Sequence, residues 1–179
     1  MRLHDHGKAW VHGFDWNECQ NSLKSTVMQL GDAREGLARQ AKLIADCYSS
    51  LESIFDRLCH ESCINCDDIC CARATVWYDI RDLVYLLLAT GELPQHQIYR
   101  KKDGCCCHLA TTGCRLLRCN RPFICTWYVC SRQKMKQALI PDINWKAVAE
   151  RIAMIKEMRK QLVIQYDTAV ATTTHKEDI

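Results

Sequence analysis

The residues with the clearest chemical potential are the cysteines, of which the chain has 14 among 179 residues. Four of them form the motif C-x-x-C-x-x-x-C-C at Cys63, Cys66, Cys70 and Cys71. A second set lies further along the chain, at Cys105, Cys106, Cys107, Cys114, Cys119, Cys125 and Cys130. Thiolates are soft ligands, and several that converge on one point favour zinc, iron or an iron–sulfur cluster. The sequence therefore predicts a metal site built from both sets.

The two pairs in the first motif differ in what they can bind. Two residues separate Cys63 from Cys66, a spacing that lets both sulfurs face one ion from a single turn. Cys70 and Cys71 are adjacent, and because neighbouring side chains diverge, we expect them to serve two different ions or a bridged pair. In the second set, Arg121 is expected either to offset thiolate charge or to cap a carbonyl group.

Composition and charge argue against a nucleic-acid-binding protein and against a membrane protein. The net charge of +3 and the isoelectric point near 8.2 are mild, and no basic run alternates with aromatic residues. The amino terminus lacks the apolar run of a secretory signal, and the longest apolar segment, Leu83 to Ala89, is far shorter than a membrane span. We therefore expect a cytoplasmic protein without nucleic-acid or membrane partners, in which a reducing compartment keeps the thiols free for metal.

Hydrophobic periodicity predicts one long helix that begins near Asn17 or Asn21 and continues to the first cysteine motif. Its inner positions alternate four and three residues apart, as in a heptad stripe. These positions are Leu23, Val27, Leu30, Arg34, Leu37, Ala41, Ile44, Tyr48, Leu51, Phe55 and Leu58. An apolar stripe of this length must pack against a second apolar surface.

The carboxyl-terminal segment carries a matching stripe after Pro141, where Asp142 or Asn144 can start a helix. Its positions are Trp145, Val148, Ile152, Ile155, Arg159, Leu162, Tyr166 and Ala169. We expect the two helices to form an antiparallel hairpin within one chain, whereas a homodimer or another protein partner would satisfy the same pattern. Arg34 and Arg159 occupy otherwise apolar positions, and we expect both side chains to reach solvent at a rim.

A third helix is predicted from Ala72 to Thr90, closed by Gly91. Because this helix would begin directly after Cys71, its dipole is expected to point at the thiols and lower their pKa values. Residues 92–130 lack helical periodicity. The expected fold is therefore mainly α: a long antiparallel helical hairpin with a third helix and an irregular Cys-rich metal-binding head. Residues 1–18 are expected to form an N-terminal arm and residues 19–179 a single domain.

Three ordered motifs carry a resemblance to a known family. C-x-x-C-x-x-x-C-C, then C-H-L-x-x-x-G-C, then R-P-x-x-C-x-x-Y-x-C, resemble the YkgJ-type cysteine-cluster family, the CxxCxxCC zinc/iron-chelating domain, over about residues 59–131. The first motif is one residue longer than the family's name and lacks the usual glycine before its Cys pair. The resemblance implies metal chelation, and for some members an iron–sulfur oxidoreductase. The metal ligands it implies are Cys63, Cys66, Cys70, Cys71, Cys107, Cys114, Cys125 and Cys130.

Other residues near these motifs are alternative ligands. Cys59 lies one helical turn before Cys63 and could replace one of the implied thiols. One of three further cysteines could do the same: Cys105, Cys106 or Cys119. His60 and His108 flank implied ligands, either as nitrogen ligands or as hydrogen-bond partners of ligands. Two cysteines on the long helix are expected to serve only in packing: Cys19 and Cys47.

The identity of the metal stays open at this point. Eight thiolates suit two tetrahedral zinc ions, a dinuclear site, or one cluster with spare ligands. No nucleophile elbow, phosphate-binding glycine loop, zinc-protease motif or dinucleotide fingerprint is present. We therefore expect a metal-binding protein that holds zinc or iron. The alternative is an iron–sulfur redox or group-transfer enzyme.

Overall fold

The structure, a computed structural model, describes residues 15–63, 66–111, 113–138 and 140–177, with side chains up to residue 173. The described chain is mainly helical, as predicted. Its α-helices are α1 (Trp16–Gln29), α2 (Ala33–Cys63), α3 (Cys70–Arg73), α4 (Ile80–Thr90), α5 (Phe123–Trp127), α6 (Ser131–Gln137) and α7 (Trp145–Glu177). A short antiparallel hairpin, β1 (Leu109–Ala110) and β2 (Gly113–Cys114), and one 3-10 turn, Arg118–Asn120, complete the elements. Most of the predicted arm, residues 1–18, lies outside the described residues.

The chain forms two compact units, each built from separated segments. The first unit contains the described residues up to Ala45, together with Tyr78–Gln97 and the described residues from Ile155 onward. The second unit contains Asp46–Trp77 and Ile98–Met154. Every cysteine of the two predicted sets belongs to the second unit. The single domain expected over residues 19–179 stays a prediction.

The predicted long N-terminal helix is in fact two helices. The carboxylate of Asp15 caps the first turn of α1 by accepting a hydrogen bond from the backbone N–H of Asn17 at 2.8 Å. After Leu30 the chain turns at Gly31, whose φ of 54° lies in the left-handed region, and α2 begins at Ala33. The prediction of one continuous helix is therefore wrong. The predicted inner positions are nevertheless buried in both helices, with the exception of Arg34, which is exposed.

Gly31 should be hard to replace for a reason of backbone conformation alone. A Cβ added there would meet no other atom within 4 Å, so only the left-handed φ opposes a side chain. We expect Gly31→Ala to lower the free energy of unfolding by about 1 kcal/mol. Gly36→Ala is the matched control, because Gly36 lies inside α2, its Cβ would also meet nothing, and alanine favours the helix. Urea denaturation should show opposite signs for the two variants, and equal signs would contradict the argument.

Among the described residues of the first unit, the buried charged side chains form one ion pair. The buried apolar side chains of this unit come from α1, α2, α4 and α7. Arg159 of α7 donates a hydrogen bond to the carboxylate of Asp82 of α4 at 2.6 Å, and its guanidinium lies 4.8 Å from the ring centre of Tyr85. The expectation that Arg159 reaches solvent is therefore wrong, since the residue is buried. A buried cation needs a partner, and Asp82 supplies it.

The third helix starts later than predicted. Residues after α3 are not helical until α4 begins at Ile80, where Asp79 and Asp82 form a reciprocal capping box. The end of α4 is as predicted, because Gly91 closes it with φ of 77°. The predicted start at Ala72 is wrong, and with it the expected dipole at the thiols. Only the four-residue helix α3 begins at the cysteine pair.

The second unit has an unusual interior. Its buried apolar side chains come from α2, from Ile140 and from Val148 of α7. Between Leu88 and Ile140, Pro122 is the one buried apolar side chain among the described residues. The buried side chains described in that stretch are instead mostly polar, and they include Arg118, Arg121 and Gln133. In the described part of the chain, no helix is long and apolar enough to cross a membrane. Hydrophobic burial alone therefore does not explain how residues 98–138 are held.

Candidate metal centre

The first group of thiols gathers around the amide of Gln133, which is buried on α6. The Nε2 atom of Gln133 donates to the sulfur of Cys59 at 3.5 Å and approaches the sulfur of Cys63 at 3.7 Å, both on the last turns of α2. Its backbone N–H donates to the sulfur of Cys130 at 3.4 Å. One glutamine thus brings together thiols that lie about seventy residues apart in the sequence.

Cys70 extends this first group. Burial raises the pKa of the Cys70 thiol. Negative charge on three other thiols raises it further: Cys130, Cys63 and Cys66. Such repulsion requires that the sulfurs lie near one another. We therefore define the first thiol group as Cys59, Cys63, Cys66, Cys70 and Cys130.

Within this group, Cys59 and Cys63 share a proton unequally. The hydrogen bond from Cys59 lowers the pKa of Cys63 to about 6, although burial acts in the opposite direction. Hydrogen bonds from Ser62 and Gln133 also favour the Cys63 thiolate. The same hydrogen bond to Cys63 is the largest cause that raises the pKa of Cys59. Cys63 is therefore the thiolate of this pair and Cys59 the donor.

The second thiol group forms around Cys71 and Cys125. Burial is the largest cause that raises the pKa of each of these thiols to about 12. Charge on Cys106 and Cys114 contributes to the higher pKa of both thiols, and charge on Cys71 contributes to that of Cys125. The four thiols thus repel one another as anions. We define the second thiol group as Cys71, Cys106, Cys114 and Cys125. The pKa of Cys71 is also raised by charge on Cys70 and Cys63, so the first thiol group lies near this one.

Backbone contacts fix the members of the second group. The N–H of Cys106 donates to the carbonyl of Cys71 at 3.0 Å, and Cys114 ends the hairpin strand β2. Arg100 pairs with Cys106 in an isolated bridge and donates through its guanidinium to the carbonyls of Ala72, Arg73 and Gly104. Cys106 is therefore anchored beside Cys71 by main-chain geometry, which the spacing of the motifs did not reveal.

Cys70 belongs to the first thiol group and Cys71 to the second, although charge on Cys70 also raises the pKa of Cys71. That this adjacent pair serves two different ions or a bridged pair stays a prediction. Seven of the eight implied ligands fall in one group or the other. The eighth, Cys107, forms a hydrogen bond with Cys106, and its sulfur lies within 4.8 Å of a ring nitrogen of His108. Cys119 donates to the side chain of Asn120 at 3.5 Å. Sequence reasoning ranked Cys59 and Cys106 as alternatives, and the structure places both within the groups.

The sulfurs of each thiol group lie near one another, but they do not form a complete coordination sphere. In the described chain, no three of these sulfurs all lie within 4.8 Å of one another. With a zinc–sulfur distance of about 2.3 Å, the sulfurs of a tetrahedral site lie about 3.8 Å apart. Small movements of the side chains would therefore be needed to enclose an ion. The donor set, which consists only of thiols, suits zinc or iron better than magnesium or calcium.

Two arginines supply positive charge beside the thiols. Arg121 donates from Nε to the carbonyl of Leu116 at 2.8 Å, and its Nη2 lies 3.5 Å from the carboxylate of Glu52. It also lowers the pKa of both Cys59 and Cys125. Both roles expected for Arg121 are therefore present in one residue. Arg118 is the second buried arginine of this region.

The fold and the site together define a mainly helical chain with two groups of thiols on one of its units. No protein-family model, no curated protein and no solved structure matches it. The resemblance to the YkgJ-type cysteine-cluster family stays a prediction from the three motifs.

Proposed function

We propose that this protein binds zinc or iron through the two thiol groups of its second unit. The first group supplies ligands from Cys63, Cys66, Cys70 and Cys130, with Cys59 as a fifth thiol beside them. The second group supplies ligands from Cys71, Cys106, Cys114 and Cys125. We further propose that the protein is cytoplasmic and belongs to the YkgJ-type family that its motifs resemble.

The observation that carries this proposal is the convergence of thiols in a region that has almost no buried apolar side chains. Thiols of separate segments approach one another twice, around Gln133 and around Cys125. Among the described residues between Leu88 and Ile140, Pro122 is the only buried apolar side chain. Metal ligation stabilises small folds directly, since the binding free energy is also folding free energy. A metal in each group would supply the stabilisation that apolar burial does not.

The chemistry of such a site depends on whether a coordination position is open. An ion held by four thiolates is closed, and it would cross-link the segments without activating a substrate. An iron–sulfur cluster would add electron transfer to the same scaffold. The first of these functions is favoured here, because both groups offer enough thiols to close a tetrahedral site.

Elemental analysis with a UV–visible spectrum on anaerobically purified protein tests this proposal. We expect about two zinc or iron ions per chain, one for each thiol group, and no visible band if the metal is zinc. Iron with matching acid-labile sulfide would instead support the iron–sulfur redox or group-transfer enzyme. Protein that contains no metal and cysteines oxidised in pairs would contradict metal binding altogether.

A further inference from the structure

Arg118 is a buried cation without a bonded carboxylate. Its exposed fraction is 2 %, and its guanidinium carbon lies 3.9 Å from the ring centre of Phe55. One guanidinium nitrogen, Nη1, donates to the carbonyl of Thr126 at 2.7 Å, and Nε has no hydrogen-bond partner. An arginine buried in this way normally pairs with an acid.

The carboxylate of Glu52, which lies beside Arg118, does not bond to its guanidinium. Glu52 accepts a hydrogen bond from the backbone N–H of Arg118 at 2.6 Å, not from its guanidinium. The other carboxylate oxygen of Glu52 lies 3.5 Å from Nη2 of Arg121. The carboxylate of Glu52 thus contacts two buried arginines, whose positive charges repel each other. Asp56 also acts on Arg118 through its charge, but among the described residues no carboxylate forms an ion pair with the Arg118 guanidinium.

The first thiol group is the candidate source of a negative charge for this guanidinium. The guanidinium of Arg118 lies over the ring of Phe55, which precedes Cys59 by one turn of α2. Gln133 contacts both Cys59 and the proposed ligand Cys63. Burial lowers the pKa of Arg118 to about 10, which leaves the side chain charged at neutral pH, and this charge lowers the pKa of the Cys59 thiol. Arg118 therefore lies close enough to the thiol group to act on it through its charge.

We propose that Arg118 is the counter-charge of the first thiol group, so that the group holds its metal as an anionic thiolate complex. The inference rests on the metal-binding function proposed above. Four thiolates around a divalent ion carry a net charge of −2, and metal binding releases the protons that neutralise the free thiols. Metal binding would therefore add negative charge near Arg118, beyond that which Glu52 and Asp56 supply. It is a positioning residue that acts through its charge, since the thiols themselves contact the ion.

The test compares metal affinity with stability in the metal-free state. Zinc affinity is measured by competition with a chromophoric chelator, and stability by urea denaturation with and without zinc. We expect Arg118→Met to weaken zinc binding about 10- to 100-fold, the range typical of residues that support metal ligands. The metal-free variant should be as stable as the wild type or more stable, because an apolar side chain replaces an unpaired charge. Arg115→Met is the control, since Arg115 is exposed in the same segment.

A second variant keeps the proposal testable if Arg118→Met does not fold. Arg118→Lys retains the charge while it loses the planar contacts to Phe55 and Thr126, and its zinc affinity should stay within about threefold of the wild type. A loss as large as that expected for Arg118→Met would overturn the role of charge. Equal destabilisation of Arg118→Met with and without zinc, at unchanged affinity, would mean that Arg118 is only a packing residue. Wild-type protein that binds no zinc or iron would overturn the proposed function itself.

Discussion

Replacing Cys125 with serine is expected to remove about one metal ion per chain and to loosen residues 98–138. Cys125 is one of the four thiols of the second group, and charge on each of the other three raises its pKa. A serine hydroxyl is a harder and weaker ligand than a thiolate, and we expect the affinity of that position to fall by more than about 100-fold. Elemental analysis gives the stoichiometry, and hydrogen exchange reports the local opening.

Cys119→Ser is the matched control for this experiment. Cys119 lies in the same segment, is also half-buried, and donates to Asn120, a hydrogen bond that a serine hydroxyl can keep. It should retain the full metal content and the exchange rates of the wild type. The amides of α4, in the first unit, serve as an internal reference and should be unaffected in both variants. Equal metal content in both variants would remove Cys125 from the ligand set.

Replacing Arg159 with methionine is expected to be among the most destabilising single changes in the first unit. The side chains of Arg159 and Asp82 are only 9 % and 6 % exposed, so the variant leaves a buried carboxylate without its cation. Breaking a buried pair in this way costs about 3–5 kcal/mol. For a chain of this size, the melting temperature should fall by roughly 10 °C. Thermal unfolding followed by circular dichroism measures the effect.

The double variant Asp82→Asn with Arg159→Met separates the charge from the packing. With both charges removed, most of the lost stability should return, and an asparagine can still accept the hydrogen bond from the N–H of Asp79. The exposed pair Arg39 and Glu35 is the control, because its side chains are 69 % and 81 % exposed. Arg39→Met should change stability very little. A double variant as unstable as Arg159→Met would show that the ion pair is not the cause.

The helical faces could be predicted from the sequence because burial follows the periodicity of apolar residues. The stripe from Leu23 to Leu58 is buried at every apolar position. The same pattern could not reveal the break at Gly31, because a glycine at an exposed position leaves the stripe unchanged. Apolar periodicity also misplaced the start of the third helix. Val76 and Trp77 fit the face of a helix, yet the capping box at Asp79 fixes its beginning.

The candidate site was only partly accessible from the sequence. Spacing identified the cysteine motifs and predicted that Cys70 and Cys71 would serve different positions. It could not indicate that Cys106 lies beside Cys71, because that placement depends on the main-chain hydrogen bond from Cys106 to Cys71. The spacing also could not identify Gln133. Its backbone N–H contacts Cys130 and its side-chain amide contacts Cys59, and these residues come together only after folding. A buried arginine is equally invisible in the sequence, since Arg118 looks like any other basic residue.

The scarcity of buried apolar side chains between Leu88 and Ile140 has a consequence for how this segment can evolve. Apolar packing couples many positions to one another, whereas a thiol ligand, a turn glycine or a buried polar group restricts mainly its own position. Exposed residues such as Tyr99 and Leu117 should therefore vary quickly among related chains. The spacings between the thiols should change far more slowly. Relatives of this protein are expected to be recognisable by a pattern of intervals and not by overall identity.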